Sequence, residues 1–144
     1  MPYFGLGTFQ AEGDKCAEAI EFVLTHDHDL IDTAQAYENQ GYDSAKYSIE
    51  QSLERPQTDY IDLLLIHWPY PGDFERSLET WHTLIALQAA GKTRAIGVSN
   101  STIDLVQKTI EDSGVVPAVN QVEFHPVLFQ VDLMDYCQQK GVLI

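Results

Sequence analysis

The strongest constraint on this chain is a regular alternation in which short apolar runs are separated by amphipathic stretches from one end to the other. Six runs read as strands: Phe4–Thr8, Leu30–Thr33, Tyr60–His67, Arg94–Val98, Ala118–Phe124 and one beginning at Val142. Tyr60–His67 is almost continuously apolar, as expected of a parallel strand covered on both faces. Between the runs, apolar residues return at the spacing of one helix face. The stripes are Ala17, Ile20, Leu24; Ala45, Ile49, Leu53; Leu78, Trp81, Ile85; Ile103, Val106, Ile110; and Leu133, Tyr136, Cys137. Ser101-Thr-Ile-Asp104 reads as a capping box opening the fourth helix. Gly91, Gly114 and Gly141 stand where three helices should stop, each shortly before a strand.

Strand starts fall 24 to 34 residues apart, matching the roughly 31 residues per βα unit of an eight-unit barrel of about 250 residues. A chain of 144 residues holds five such units and a strand stub. The expected fold is therefore α/β, a partial TIM (β/α) barrel of five to six parallel strands with outer helices, not closed. No linker, low-complexity run or shift of composition divides the chain. Residues 1–144 are thus expected to form a single incomplete barrel domain.

Charge narrows the function classes. Eight basic residues against 22 acidic ones give a net charge of −14, which argues against nucleic acid or an anionic membrane surface as partner. No apolar run approaches membrane-spanning length. Met1-Pro2-Tyr3-Phe4 leads straight into a strand-like run, so no signal peptide is expected. Cys16 and Cys137 have neither metal nor redox spacing, and unpaired thiols fit a reducing, cytoplasmic setting.

Reactive groups in a (β/α) barrel sit at the carboxyl ends of its strands. Those ends read Gly7-Thr8-Phe9, Asp32-Thr-Ala-Gln-Ala-Tyr37, His67-Trp68-Pro69, Ser99-Asn100, and Gln121 with Glu123 and His125. Polarity is concentrated where each strand stops. Phe4-Gly-Leu-Gly-Thr-Phe9, Leu30–Tyr37, Tyr60–Pro69, Gly91–Asn100 and Pro117–Pro126 together resemble, in order, the first, second, fourth, fifth and sixth strand motifs of the aldo-keto reductase family.

The resemblance implies hydride transfer from NADPH to a small aldehyde or ketone. Tyr37 matches the family's proton donor, and His67 the histidine that orients the carbonyl. Asp32 matches the aspartate that pairs with a catalytic lysine near the nicotinamide ribose. Ser99, Asn100 and Gln121 match the groups that hold the nicotinamide carboxamide. Thr8 lies where the family contacts the cofactor, and Trp68 where it lines the substrate pocket. The physical logic agrees. A free tyrosine has a pKa of about 10, so proton transfer near neutrality needs a neighbouring cation.

The sequence departs from the family at several points. The lysine that ends the family's third strand has no counterpart. Tyr37-Glu-Asn-Gln40 runs directly into Gly41-Tyr-Asp-Ser-Ala-Lys46, which resembles the start of the third helix, so about one βα unit is expected to be absent. None of the five lysines fits the vacancy. The chain ends within the expected seventh strand, short of the loops that usually grip phosphates. Ser101 follows the Ser-Asn pair where the family has an aromatic residue, and Pro56 stands in place of a leucine. His26-Asp-His-Asp29 could suggest a metal but reads as a surface turn, and no metal is expected. The competing reading is a non-catalytic fragment that associates with itself through exposed strand edges.

Overall fold

The computed structural model describes Leu6, Gly7, Glu18, Ala19, Phe22, Ile31, Asp32 and residues 60–144. The chain divides into two compact units, Met1–Tyr37 and Glu38–Ile144. In the first, strand β1 (Leu6–Gly7) pairs in parallel with β2 (Ile31–Asp32), with Leu6 opposite Ile31 and Gly7 opposite Asp32. Glu18, Ala19 and Phe22, between them in sequence, are helical. Two parallel strands need a crossover connection, and a helix supplies it.

The second unit contains β3 (Ile61–Ile66), α1 (Phe74–Ala89), β4 (Thr93–Ser99), α2 (Ile103–Ser113), β5 (Asn120–Gln121) and α3 (Val131–Lys140). Its three strands form a parallel sheet in the order β3-β4-β5. β4 lies between its neighbours, with Leu65 opposite Gly97 on one side and Val98 opposite Asn120 on the other. β5 is shorter than the expected Ala118–Phe124: its pairing with β4 holds only Asn120 and Gln121. Its ladder still reaches past both ends, with Ala118 N–H bonding the Ile96 carbonyl at 2.9 Å and Asn100 N–H bonding that of Gln121 at 2.8 Å. The stub expected from Val142 joins the same ladder: Leu143 bridges Val119 in parallel, and Asn120 N–H meets the Leu143 carbonyl at 2.8 Å.

The core is built from the faces the helical spacing picks out. Trp81, Leu84, Ile96, Val98, Val106, Leu133, Cys137 and Val142 form one buried cluster. Burying a side chain of the size of Leu or Ile stabilises the fold by about 1.5–3 kcal/mol. Trp81 is 1% exposed and still satisfies its indole N–H on Ser113 Oγ at 3.0 Å, which ties α1 to α2. Leu84, not Ile85, is the deeper of two adjacent residues on α1. Burial pushes the Cys137 thiol up, partly opposed by a hydrogen bond from Asn120. It is therefore a protonated core thiol of low reactivity.

Helix ends follow local chemistry, with one shift. Asp73 caps α1 through Arg76 N–H at 3.2 Å. Thr102, not Ser101, caps α2: its hydroxyl accepts Leu105 N–H at 3.4 Å from an extended backbone, φ −72°. Ser101 is instead buried, its backbone held by Asn120. α1 ends in a left-handed Gly91 (φ 72°), with Gly91 N–H on the Gln88 carbonyl and Lys92 N–H on that of Leu87, both at 3.0 Å. These bonds use carbonyls that the helix end would otherwise leave open. The helices expected around Ala17–Leu24 (apart from Glu18, Ala19 and Phe22) and Ala45–Leu53 lie outside the described residues.

Gly97 marks the tightest approach in the sheet. A Cβ there would lie 2.7 Å from both Leu65 Cδ2 and the Val119 carbonyl oxygen. The second of these is backbone and cannot swing aside. Gly97→Ala is expected to destabilise the chain by about 1–3 kcal/mol, read as a lower urea midpoint with an unchanged slope. An unchanged midpoint would show that β5 can retreat from β4 at no cost.

Candidate functional site

Because β3, β4 and β5 run parallel, their carboxyl ends emerge along one edge of the sheet, carrying His67, Ser99-Asn100 and Gln121. Hydrogen bonds join these groups into one chain. Asn100 Nδ2 donates to the His67 carbonyl at 2.9 Å and to Ser99 Oγ at 3.2 Å. Ser99 Oγ donates to the Gln121 carbonyl at 2.6 Å. Asn100 makes this link from a left-handed backbone, φ 55°, the only non-glycine residue with positive φ among those described. That conformation costs roughly 1–2 kcal/mol for most residues and less for asparagine, so its surroundings must hold it.

Ser99 is 4% exposed, whereas His67, Trp68 and Gln121 present themselves to solvent. The rings of His67 and Trp68 meet edge-on, with centroids 6.4 Å apart. The edge thus offers an imidazole, an indole face, two amides and a hydroxyl.

Six of the eight residues singled out in the sequence lie among the described residues. His67, Trp68, Ser99, Asn100 and Gln121 share this edge, while Asp32 is placed by its backbone alone, at the end of β2 opposite Gly7. Thr8, Tyr37 and His26-Asp-His-Asp29 lie outside the described residues. His125 forms the expected strand-end turn: it donates to Glu123 at 2.8 Å, accepts Val127 N–H at 3.2 Å and bridges Leu128.

Among the described lysines none occupies a strand's carboxyl end. Lys92 precedes β4, Lys108 lies over the Phe74 ring at 5.5 Å, and Lys140 lies over Tyr136 at 5.6 Å. One residue was not singled out in the sequence. Asn120 is 0% exposed, accepts Ser101 N–H at 3.3 Å and donates to the Ser101 carbonyl at 2.9 Å. A polar residue between Val119 and Gln121, in a strand otherwise bound for the core, was the available signal.

Residues 39–144 match the model of the aldo/keto reductase family. The chain belongs to the aldo/keto reductase family. Among its relatives, the glyoxal reductase of Bacillus subtilis is 37% identical over 171 residues, covering 99% of this chain and 61% of that protein. The methylglyoxal reductase DkgB of Yersinia pestis is 32% identical over 173 residues, covering 100% of this chain and 65% of that protein.

Solved structures agree. An aldo-keto reductase from a Medee basin deep-sea metagenome library superposes with a TM-score of 0.91 at 30% identity, over 99% of this chain and 62% of that one. A Gox0644 point variant in complex with NADPH superposes at 0.88 and 29% identity, over 99% of this chain and 61% of that one. These relatives are TIM barrels, and this chain is α/β with parallel strands in open sheets, a partial copy of that fold. It spans about three fifths of the relatives' length.

The alignments also bear on the expected internal loss. The Bacillus alignment runs over 171 positions, and 99% of 144 residues fills only about 143 of them, so about 28 belong to the relative alone. The Yersinia alignment uses all 144 residues across 173 positions and leaves about 29. Both remainders approach the roughly 31 residues of one βα unit.

Asn100 is expected to show its left-handed backbone in a pair of substitutions. Asn100→Gly and Asn100→Ala both lose the bonds to His67 and Ser99, but only alanine strains at φ 55°. Alanine should therefore cost about 1 kcal/mol more than glycine in urea unfolding. Equal costs would mean that the turn relaxes once the side chain is gone.

Proposed function

We propose that this chain carries the carbonyl- and nicotinamide-facing part of a reductase acting on small aldehydes or ketones with NADPH. The supporting observation is the hydrogen-bonded chain from His67 through Asn100 and Ser99 to Gln121. A carboxamide presents two N–H donors and one carbonyl acceptor. Asn100 spends its N–H groups on His67 and Ser99, which leaves its Oδ1 to receive a carboxamide N–H, and Gln121 adds a second amide. The donor set therefore fits the nicotinamide end of the cofactor, which supplies a hydride when bound.

In this reading Tyr37 gives its phenolic proton to the carbonyl oxygen as the carbonyl carbon gains hydride. His67 orients that oxygen, and Trp68 provides the apolar wall. Thr8 and Asp32 stand beside the cofactor. Relatives bearing the names glyoxal reductase and methylglyoxal reductase favour a small carbonyl compound as substrate. The net charge of −14 favours neither nucleic acid nor an anionic membrane as partner, and no described helix is long and apolar enough to cross a membrane. The reading takes residues 1–144 as one incomplete barrel domain working in the cytoplasm.

One observation favours a second reading of the present chain. The family's lysine has no counterpart, and about 28 aligned positions are missing. We place that loss at Gln40–Gly41, beside residue 39, where the family match begins. A phenol, with an ordinary pKa of about 10, needs a neighbouring cation to shuttle protons at neutral pH, the role the family gives to that lysine. The purified chain is expected to show little or no NADPH-dependent reduction of methylglyoxal, and no saturable NADPH binding in the micromolar range. Robust turnover that disappears in Tyr37→Phe would overturn this second reading and establish the first.

The second reading also predicts self-association. Val127 is 91% exposed, and the apolar Phe124, Phe129, Leu143 and Ile144 of the same unit are exposed as well. Leu143 makes its parallel bridge to Val119 at the rim of the three-stranded sheet. Such edges template pairing with another chain. Net charge opposes this at low salt but is screened within about 8 Å at physiological ionic strength. Light scattering is expected to show dimers or larger species that grow with salt. A monomer at every salt concentration would exclude association through these edges.

A further inference from the structure

We infer that Asn120 is a positioning residue, holding Asn100 in the left-handed turn on which the nicotinamide-facing edge depends; this rests on the function proposed above. Asn120 is fully buried in β5, under the segment that leaves β4. Its side chain takes both backbone polar groups of a single residue: Oδ1 receives Ser101 N–H at 3.3 Å and Nδ2 donates to the Ser101 carbonyl at 2.9 Å. The amide thus acts as a strand partner for a residue that has left the strand.

Ser101 needs that partner. It is 6% exposed, and a buried backbone N–H or carbonyl left unpaired costs about as much as a lost hydrogen bond. On the other side of Asn100, Ser99 is fixed opposite Gln121 by the ladder. Asn100 is therefore the single residue between two anchors, and the path between them passes through φ 55°. That turn aims Nδ2 at the His67 carbonyl and Ser99 Oγ. Asn120 itself joins none of those bonds and acts through Ser101.

The choice of residue type supports the role. An apolar side chain would suit a site that adjoins the Cys137 thiol, since a buried amide is unfavourable unless fully paired. A polar group in that place earns its position by what it holds. The clamp also fits the small residue at position 101: serine lies buried there against Asn120, where the resemblance leads one to expect an aromatic side chain.

The test uses the full 144-residue chain, labelled with 15N, in two arms. Without ligand, hydrogen exchange is followed at Ser101 N–H and the Asn100 side-chain amide, with the Trp81 indole N–H as a remote reporter of the fold. With ligand, nicotinamide mononucleotide is titrated against its analogue bearing acetyl in place of the carboxamide. The parent chain should protect all three groups and prefer the carboxamide by about threefold or more, the worth of one net hydrogen bond. In Asn120→Ala, protection at Ser101 and Asn100 and the carboxamide preference should fall together while Trp81 stays protected.

Asn120→Asp keeps an acceptor for Ser101 N–H but at neutral pH has no donor for the Ser101 carbonyl and buries a charge, so protection at Asn100 and the carboxamide preference should fall there too. It should recover as pH falls, because a buried carboxyl has a raised pKa and regains an O–H donor on protonation. Unchanged protection at Ser101 and Asn100 in Asn120→Ala would overturn the inference. So would loss of Trp81 protection in both variants, which would assign Asn120 to core stability alone. If the exchange pattern follows expectation while even the parent shows no carboxamide preference, the positioning role stands and the nicotinamide reading falls.

Discussion

Strand β4 is hydrogen-bonded to β3 on one side and to β5 on the other, and the rest of the second unit is arranged around that fact. Its pairing with β3 runs from Ile61 opposite Thr93 to Ile66 opposite Val98, and its pairing with β5 takes over at Val98 and Ser99. Two sequence features make the double pairing possible. Ile96 and Val98 bury their side chains in the core, while Gly97 between them lets the backbone at Val119 come close. With all three strands parallel, their carboxyl ends must emerge together. The polar edge therefore follows from strand direction. It does not require attraction between His67, Asn100 and Gln121, and the bonds among them only fix a neighbourhood that the sheet has already created.

The same logic explains what could be read from sequence. Strand existence and direction followed from apolar runs at βα spacing, because only a sheet covered on both faces asks for a run such as Ile61–Ile66. The helix faces followed from three- and four-residue spacing. Depth within a face did not: Leu84 and Ile85 are adjacent and equally apolar, and the packing of α1 on the sheet puts Leu84 inside. The cap of α2 differs from the expected Ser101 for a related reason. Both Ser101 and Thr102 can accept an N–H, and the choice depends on which has extended backbone facing the helix, a matter settled by Asn120 from another strand.

Asn120 shows where sequence reading of the site stops. The groups at strand ends could be recognised because polarity there interrupts an apolar pattern. Asn120 interrupts it one residue earlier, at a position that alternation assigns to the core, and its meaning depends on a partner 19 residues away. Local pattern carries no information about such a pair. Tyr136 is the converse. Its stripe with Leu133 and Cys137 was legible, yet its hydroxyl is buried with no hydrogen-bond partner among the described residues, and burial pushes its pKa up, with Glu111 adding to the effect.

The loss of about 28 aligned positions is close to one structural unit, and that size matters physically. Removing a strand alone would leave two helices in succession and force the next strand to reverse or cross on the wrong side of the sheet. Removing strand and helix together preserves the alternation, so each later strand can keep its direction and its polar carboxyl end. A site is less forgiving than a fold, because each of its groups comes from a different strand. The unit proposed to be absent is the one that the family resemblance credits with the lysine beside Tyr37 and Asp32. On the function proposed above, deleting it would leave Ser99, Asn100 and Gln121 in place, at the ends of β4 and β5, and would remove the cation that lets a phenol with a pKa of about 10 exchange protons near neutrality.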